Sequence, residues 1–372
     1  MESLVNKQSF IGLDTCTWLY SGAEVPVHQG CMDAVNEYLQ YRGKGPGGRA
    51  HNAEIEQLCK QNLAQLLQGN PENIALLSNS SEIISMIAQS LDFEEGDNVI
   101  LNTIEFPSGV LPWLLLKSKG VEVRVVDHKD WKISVEDIMD QVDERTRLVI
   151  TSHVSYHTGA RLDYKKLYAE LKKTQALLLL DITQSLGAVQ VDMNHADFVV
   201  CSSYKWLLSL HGVGVLGVNP ARVQAFNPKS VGWRSVADMF GPDRFKTVTF
   251  QDDARRFELG FPSYPTIYAM QYSTGLLLRE GPERIEQHIL SLGGMLIEQL
   301  SELGYEIMTP KEPDKRAGNI CVVAERGEEI ADELHKQQIY VWGGDGRFRA
   351  SIHLFNDSKD IETLIQALRS FQ

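Results

Sequence analysis

Two polar side chains in the middle of the chain stand where apolar runs end and where each could do chemistry. Asp181 follows the apolar run 177–180, and Lys205 comes four residues after the apolar run 198–201. If both runs are parallel strands of one sheet, Asp181 and Lys205 project into the same crevice. A lysine amine there can form a Schiff base with an aldehyde, and a carboxylate beside it can hold a heterocyclic N–H. Pyridoxal 5′-phosphate requires these two groups, although an exposed lysine and a helix-capping aspartate would give the same pattern.

β-type runs alternate with helix-type segments between about residues 75 and 220. Several runs are apolar throughout, as expected for strands that are buried on both faces. This alternation predicts an α/β fold in which helices flank a mostly parallel sheet and ligands bind outside the carboxyl ends of the strands. The β-type runs are 98–102, 121–127, 147–152, 177–182, 198–202 and 213–218, and helix-type segments include 81–91, 135–142 and 164–174.

An irregular stretch, 221–265, predicts a junction between a large and a small domain. Beyond it, apolar residues from Ile285 to Leu303 recur at spacings of three and four, which predicts a long helix that ends at Gly304. The expected parts are an N-terminal segment near the site or the dimer interface (1–50), a large cofactor-binding domain (51–262) and a small C-terminal α+β domain (263–372).

Composition and charge exclude several classes of partner. The 372 residues include 49 acidic and 36 basic ones, for a formal net charge of −13. A surface with this much negative charge repels phosphate backbones and anionic lipid. We therefore expect neither nucleic acid nor a membrane as the main partner. The five cysteines lack a CxxC spacing, the N-terminus lacks a signal-peptide pattern, and no apolar run approaches the roughly 18 residues that span a bilayer. We therefore expect a cytoplasmic protein.

Five separated motifs together resemble one known family. They are Ser-Asn-Ser-Ser-Glu at 78–82, Glu-Phe-Pro-Ser at 105–108, Ser-His-Val-Ser-Tyr at 152–156, the pair of Asp181 with Ser-Tyr-Lys-Trp at 203–206, and Arg-Ala-Ser at 349–351. In this order they resemble the class V aminotransferase family, which includes cysteine desulfurases, kynureninases and isopenicillin-epimerase-like proteins. The resemblance covers nearly the whole chain. It implies a fold-type-I, pyridoxal-phosphate-dependent homodimer that acts on a small amino acid.

The resemblance also implies which residues hold the cofactor. Lys205 would carry it as a Schiff base and Asp181 would pair with its pyridine nitrogen, so these are the expected catalytic residues. Phe106 would stack on the ring, although it could also be a core phenylalanine. Ser80 and Ser81 open a helix-type segment, where hydroxyl and free N–H groups can hold a phosphate or simply cap the helix. The other expected cofactor-binding residues are Tyr156, Gln184, Ser202 and Tyr204.

Two arginines near the C-terminus are the expected substrate-binding residues. Arg349 matches the family's arginine for the substrate α-carboxylate, a role that suits a planar bidentate group. Arg347 lies two residues earlier, on the same face of a strand, and is expected to assist. Apart from the resemblance, such arginines would indicate a solvated face. His153 and His157 have a metal-binding spacing only on a helix, and they flank a predicted strand end, so we expect no metal site.

Two departures from the family pattern bear on the reaction. Where the family commonly has a Gly-Thr pair for the partner subunit's phosphate, this chain has Gly260-Phe261, with Ser263 as a candidate substitute. The loop 340–347, where cysteine desulfurases keep their persulfide cysteine, contains no cysteine. We expect transamination, with a carbon–sulfur or carbon–carbon β-lyase that lacks a catalytic cysteine as the first alternative. An epimerase-like biosynthetic enzyme comes next, and a non-catalytic cofactor-binding protein is the competing class.

Overall fold

A seven-stranded sheet, formed by β2 to β8, is the centre of the fold in the computed structural model, which describes residues 1–371. The strands of the three sheets in this region are β1 (Thr17–Trp18), β2 (Ile74–Leu77), β3 (Asn98–Asn102), β4 (Glu122–Val126), β5 (Thr146–Ser152), β6 (Leu177–Asp181), β7 (Phe198–Ser202), β8 (Gly214–Val218), β9 (Asn319–Val323), β10 (Ile339–Tyr340), β11 (Trp342–Gly344) and β12 (Arg347–Ser351). The helices are α1 (Gln29–Arg42), α2 (Pro46–Leu67), α3 (Ser80–Ser90), α4 (Leu111–Leu114), α5 (Val135–Met139), α6 (Tyr164–Leu171), α7 (Pro220–Val223), α8 (Tyr264–Glu280), α9 (Pro282–Glu302), α10 (Gly327–Lys336) and α11 (Ser358–Leu368).

The large sheet has the strand order β2-β8-β7-β6-β5-β3-β4. Strand β8 is antiparallel to both of its neighbours, and the other neighbouring pairs are parallel. The mostly parallel α/β fold expected from the sequence is thus confirmed. The six predicted β-type runs correspond to strands β3 to β8, and each predicted boundary lies within one residue of the observed boundary.

The apolar runs in this sheet are buried on both faces. In β6, Leu178 and Leu180 pack into one core layer, whereas Leu179 points into the other, and all three are fully buried. Because successive side chains of a strand alternate between faces, a strand between two helical layers must be apolar at every position. The continuous leucine run therefore carries Asp181 to the sheet's edge.

Helices α1, α2 and α8 pack on the large sheet. Ile267 and Tyr268 of α8 share a core layer with Leu63 of α2 and with Leu178. Helix α1 buries Cys31 and Tyr38 among its residues, which gives it only a weak apolar pattern in the sequence. The expected boundary after residue 50 falls inside α2, and α8 joins the large core although it follows residue 262. The three-part division stays a prediction, and its last residue, Gln372, lies outside the described residues.

A second, antiparallel sheet of order β11-β12-β9 supports the C-terminal part of the site. Its core residues Ile320 and Phe348 pack against Leu292 of α9 and Leu364 of α11. The N-terminal strand β1 pairs with β10 in a separate two-stranded sheet. Tyr20 forms a bridge to Ser351 of β12, which brings residues 17–20 beside the three-stranded sheet. No helix in the region 1–371 combines the length and the hydropathy that crossing a membrane requires.

Candidate active site

A cavity of about 450 Å³ lies at the carboxyl ends of β5, β6 and β7. The predicted site residues that line it are Ser80, Ser81, Phe106, Tyr156, Asp181, Gln184, Ser202, Tyr204 and Lys205. The cavity is also lined by Ser152, Thr183 and His211, which the motifs did not single out as site residues. Ser152 and Thr183 could have been predicted from the sequence, because ligands bind at the carboxyl ends of parallel strands. Ser152 is the last residue of β5, and Thr183 lies two residues after the end of β6. His211 belongs to the loop before β8 and carries no such signal.

Lys205 lies in the turn after β7 and is buried. Burial disfavours the charged amine and lowers the pKa of Lys205 to about 8; the positive charge of Arg349 lowers it as well, and Asp181 opposes this. The Nζ atom lies 5.5 Å from the centroid of the Phe106 ring. An amine with such a pKa is neutral in about a fifth of the molecules near pH 7.4, far more than an ordinary lysine, so Lys205 can act as a nucleophile and as a base.

Asp181 ends β6 and is also buried. Its Oδ1 atom accepts a hydrogen bond of 2.8 Å from the backbone N–H of Thr183. Burial raises the pKa of the Asp181 carboxyl, while the Thr183 hydrogen bonds and the charge of Lys205 act in the opposite direction. A buried carboxyl of this kind is stabilised as a carboxylate when a cationic N–H group lies against it.

A second buried carboxyl, that of Glu105, holds the strand next to Asp181. Its two oxygens accept hydrogen bonds of 2.6 Å from the backbone N–H and from the hydroxyl of Ser152. Ser152 is the residue directly opposite Asp181 in the β5–β6 register. Burial raises the pKa of Glu105, and the charge of Asp181 adds to this. Glu105 therefore positions the Ser152 side of the cavity.

The N-terminus of α3 supplies the anion-binding part of the cavity. Asn79 caps the helix, because its side chain accepts a hydrogen bond from the backbone N–H of Glu82. The Ser80 hydroxyl is 2.7 Å from that of Ser202. A Cβ atom at Gly214 would lie 2.8 Å from the Ser80 backbone nitrogen, so glycine allows β8 to pack this close to the helix end. Unpaired backbone N–H groups and hydroxyls at a helix N-terminus bind phosphate.

Aromatic side chains form the walls of the cavity. Phe106 remains 43% exposed, and Tyr156 contacts it edge to face at a centroid distance of 5.2 Å. The ring of Tyr204 stacks on His211 at 3.9 Å. A phenylalanine that leaves this much of its surface open beside a cavity suits stacking on a planar heterocycle, rather than packing in a core.

Gln184 connects three parts of the chain. Its Oε1 atom accepts hydrogen bonds from Trp206 Nε1 (2.8 Å) and Asn319 Nδ2 (3.0 Å), and its Nε2 atom donates to the Gly22 carbonyl (2.9 Å). A primary amide has two N–H groups, so one of them is left for a ligand in the cavity. The side chain thus ties the N-terminal segment and β9 to the cavity wall.

The two predicted substrate-binding arginines do not line this cavity, but both contact Tyr156, which does. Arg349 Nη1 donates a hydrogen bond of 2.9 Å to the Tyr156 carbonyl, and Arg347 Cζ is 5.4 Å from the centroid of the Tyr156 ring. Burial lowers the pKa of Arg349 to about 10. A Cβ atom at Gly22 would lie 3.0 Å from Arg349 Cζ, so the N-terminal segment approaches this arginine through glycine backbone.

The two histidines considered for a metal site, His153 and His157, and the five cysteines are not among the residues that line the cavity. His153 Nε2 accepts a hydrogen bond of 3.2 Å from Arg161, whereas His157 Nδ1 lies 3.4 Å from an Asp345 carboxylate oxygen. All five cysteines are free thiols, and burial raises the pKa of every one of them, to about 12 for Cys31 and about 11 for Cys321. A raised thiol pKa leaves little of the reactive thiolate at neutral pH.

Comparison with known proteins finds relatives that match nearly the whole chain. The model of the aminotransferase class-V family matches residues 17–364. A probable cysteine desulfurase from Methanothermobacter thermautotrophicus is 28% identical, over 94% of this chain and 93% of the relative. An uncharacterised aminotransferase from Schizosaccharomyces pombe is 26% identical, over 96% of this chain and 92% of the relative. A solved variant of C-DES with glycine covalently linked to its PLP cofactor is 22% identical, with a TM-score of 0.90 over 98% of this chain and 99% of that chain.

The fold and the family match together define a class of protein: a fold-type-I enzyme that depends on pyridoxal 5′-phosphate (PLP). The chain belongs to the class-V aminotransferase family. The donor set in the cavity fits this cofactor. It offers an amine of lowered pKa for the aldehyde, a buried carboxyl for the ring nitrogen, an open aromatic face for the ring and a helix N-terminus for the phosphate.

Proposed function

We propose that the protein is an aminotransferase that acts on a small amino acid by moving the proton at its Cα. One observation carries this proposal: Lys205, with a lowered pKa, shares a cavity with the buried Asp181 and with the N-terminus of α3. A protein that only bound the cofactor would need neither the lysine nor an arginine for a carboxylate. The combination of Lys205, Asp181 and Arg349 therefore argues for catalysis.

In this proposal the side chains of the cavity bind the cofactor and move the substrate proton. Ser80 and Ser81 hold the cofactor phosphate, Phe106 covers its ring, and Asp181 keeps the ring nitrogen protonated. When bound, PLP supplies an electron sink for a carbanion at the substrate Cα. Lys205 would attach the cofactor and, once displaced by the substrate amine, would take the proton from Cα and deliver it to the cofactor carbon C4′, as transamination requires. The remaining proposed cofactor contacts are Tyr156, Gln184, Ser202 and Tyr204.

Arg349 is the proposed binding group for the substrate α-carboxylate. Its Nε atom is buried and has no hydrogen-bond partner among residues 1–371, so the side chain retains an unused donor. The guanidinium is hydrogen-bonded to the carbonyl of Tyr156, a residue that lines the cavity. Anchoring the carboxylate there would orient the Cα proton toward Lys205, and such positioning is a major source of catalytic rate.

A β-lyase is the second candidate function. The relatives include a probable cysteine desulfurase, and C-DES is a cystine C–S lyase. Loss of a β-substituent begins with the same removal of the Cα proton, so the same residues serve both reactions. Because burial raises the pKa of all five thiols, a lyase here would release its sulfur product directly, without a persulfide on the enzyme. An epimerase-like reaction, which returns the proton to Cα, ranks third.

Identification of the product separates these reactions. The enzyme loaded with PLP is incubated with each amino acid in turn, without an amino acceptor, and the products are identified by mass spectrometry. We expect an oxo acid together with an equal amount of pyridoxamine phosphate, because a half-transamination transfers the amine to the cofactor. Pyruvate or sulfide with unchanged cofactor would instead identify a β-lyase, and inversion at Cα alone an epimerase. Absence of any turnover across the amino acids would contradict the proposed function.

We also propose a homodimer. Large apolar side chains stand exposed in the segment 231–261, with Phe240 at 77% and Phe245 at 86% exposure. In the same region, Trp233, Phe261 and Tyr264 line an open cavity of about 880 Å³. Exposed apolar patches of this kind mark protein interfaces, and the dimeric architecture of the family makes a second copy of the chain the proposed occupant. The five free cysteines support a reducing, cytoplasmic location.

Light scattering tests the dimer directly. We expect the mass of two chains at micromolar concentration. Replacing both Phe240 and Phe245 by aspartate should weaken association, because burying two carboxylates at an apolar interface costs several kcal/mol. Lys229→Asp, at a solvent-exposed residue just outside the segment, serves as the charge control. A fully active monomer in the unmodified protein would contradict the proposal.

A further inference from the structure

Arg347 has an unused binding edge beside the site. Its side chain is fully buried, and its Nη1 atom donates a hydrogen bond of 2.6 Å to Asp345 Oδ2. Its Nε and Nη2 atoms are buried and have no hydrogen-bond partner within residues 1–371. Nε and Nη2 form the edge of the guanidinium that binds a carboxylate through two parallel hydrogen bonds. Leaving such an edge buried and unpaired costs free energy, which a ligand that pairs with it would offset.

The surroundings of Arg347 connect it to the proposed substrate position. Arg347 and Arg349 are two residues apart on β12, so they point to the same face and their Cα atoms are separated by roughly 6.6 Å. The Trp342 ring lies 4.6 Å from Arg347 Cζ and 5.4 Å from Arg349 Cζ. Tyr156 contacts both arginines, through its ring and its carbonyl, and also lines the cavity.

Asp345 holds Arg347 from the opposite side. It is 64% exposed, in the hairpin turn between β11 and β12, so a single solvated carboxylate engages Nη1. That leaves the other edge of the guanidinium for a ligand. If Arg347 were a structural cation, we would expect its buried nitrogens to be paired with carbonyl or carboxylate oxygens, as those of Arg234 are with Glu56 and Glu258.

We propose that Arg347 binds a second carboxylate, on the substrate's side chain, so that the substrate is a dicarboxylic amino acid. The proposal rests on the proposed function, which places the α-carboxylate of an amino acid at Arg349. Two arginines at neighbouring positions on one strand face suit two carboxylates that are a few ångströms apart, as in aspartate or glutamate. Arg347 then selects the substrate, whereas Arg349 binds the group that all amino acids share.

The first experiment compares acids with their amides in the unmodified enzyme loaded with PLP. Dissociation constants for L-aspartate, L-asparagine, L-glutamate and L-glutamine are measured from the change in the visible absorbance of the bound cofactor. Each acid and its amide have nearly the same shape, so the ratio of their dissociation constants measures the effect of the side-chain charge alone. We expect at least one acid to bind about tenfold or more tightly than its amide, the gain of a bidentate charged pair.

The second experiment changes the arginine and its neighbour. In Arg347→Met the ratio of acid to amide affinity should fall to within about twofold, because the binding edge is lost. Arg284→Met, which removes an exposed charge on α9, is the control and should keep the ratio of the unmodified enzyme. Asp345→Asn removes a negative charge that would repel a carboxylate bound at the other edge of Arg347, and it should raise the ratio about threefold. Asparagine tolerates the positive φ of 52° at this position, so the hairpin is retained.

The outcomes separate this inference from the proposed function. Equal binding of acids and amides in the unmodified enzyme, or a preference for acids that survives in Arg347→Met, would overturn the role of Arg347 and leave the proposed function intact. If no amino acid changes the cofactor absorbance, the proposed function itself fails. Should Arg347→Met not fold, the ratios in the unmodified enzyme and in Asp345→Asn still decide the question.

Discussion

Lys205→Ala is expected to abolish turnover and to remove the visible absorbance of the lysine-bound cofactor. The lysine both attaches the cofactor and moves the Cα proton, and general acid–base catalysis alone contributes up to about 10⁴-fold. Because the variant loses both roles, we expect the rate to fall by about 10⁴-fold or more. Amino-acid turnover measured beside the absorbance spectrum of the PLP-loaded variant checks both parts of this expectation.

The fold should survive the substitution. The Lys205 amine contacts the aromatic rings of Phe106 and Tyr204, and its removal takes a partly charged group out of a buried site. We expect the melting temperature to change by less than about 4 °C. Lys165→Ala, at an exposed lysine on α6, is the matched control and should retain both absorbance and activity. A Lys205→Ala protein that kept both properties would falsify the site assignment.

Arg349→Ala is expected to leave cofactor binding intact and to raise the dissociation constant of the amino-acid substrate. Losing a charge-assisted, bidentate pair in a buried site costs about 2–4 kcal/mol, or roughly thirty- to several-hundred-fold in affinity. Titration of the cofactor absorbance with substrate measures the effect. For an amino acid with a neutral side chain, Arg347→Ala should cost less, because Arg347 does not hold the α-carboxylate.

A pH measurement on Arg349→Ala tests whether the charge of Arg349 acts on Lys205. The charge of Arg349 contributes to lowering the pKa of Lys205 to about 8. Without that charge the lysine pKa should rise, so the pH at which the apoprotein binds PLP most rapidly should move upward. If Arg347→Ala weakened the binding of neutral amino acids more than Arg349→Ala did, the α-carboxylate would bind at Arg347. The assignment of that role to Arg349 would then be wrong by two residues.

The sequence predicted the sheet and the two central residues of the site because these features depend on local patterns. A strand buried between two helical layers must be apolar at every position, so β6 and β7 are visible as unbroken apolar runs. Polar residues at the carboxyl ends of neighbouring parallel strands must come together, which places Asp181 near Lys205. The order of the motifs then indicated the family that the comparison confirmed.

Only the tertiary structure decided which distant segments complete the site. Gln184 joins Gly22 and Asn319, residues more than 130 positions away, and Arg349 reaches the Tyr156 carbonyl across 193 positions. Neither contact leaves a periodic pattern in the sequence, because a hydrogen bond between remote segments constrains one residue at each end and none of their neighbours. The burial that lowers the Lys205 pKa and the unpaired edge of Arg347 arise in the same way, from the packing of several elements around a single side chain.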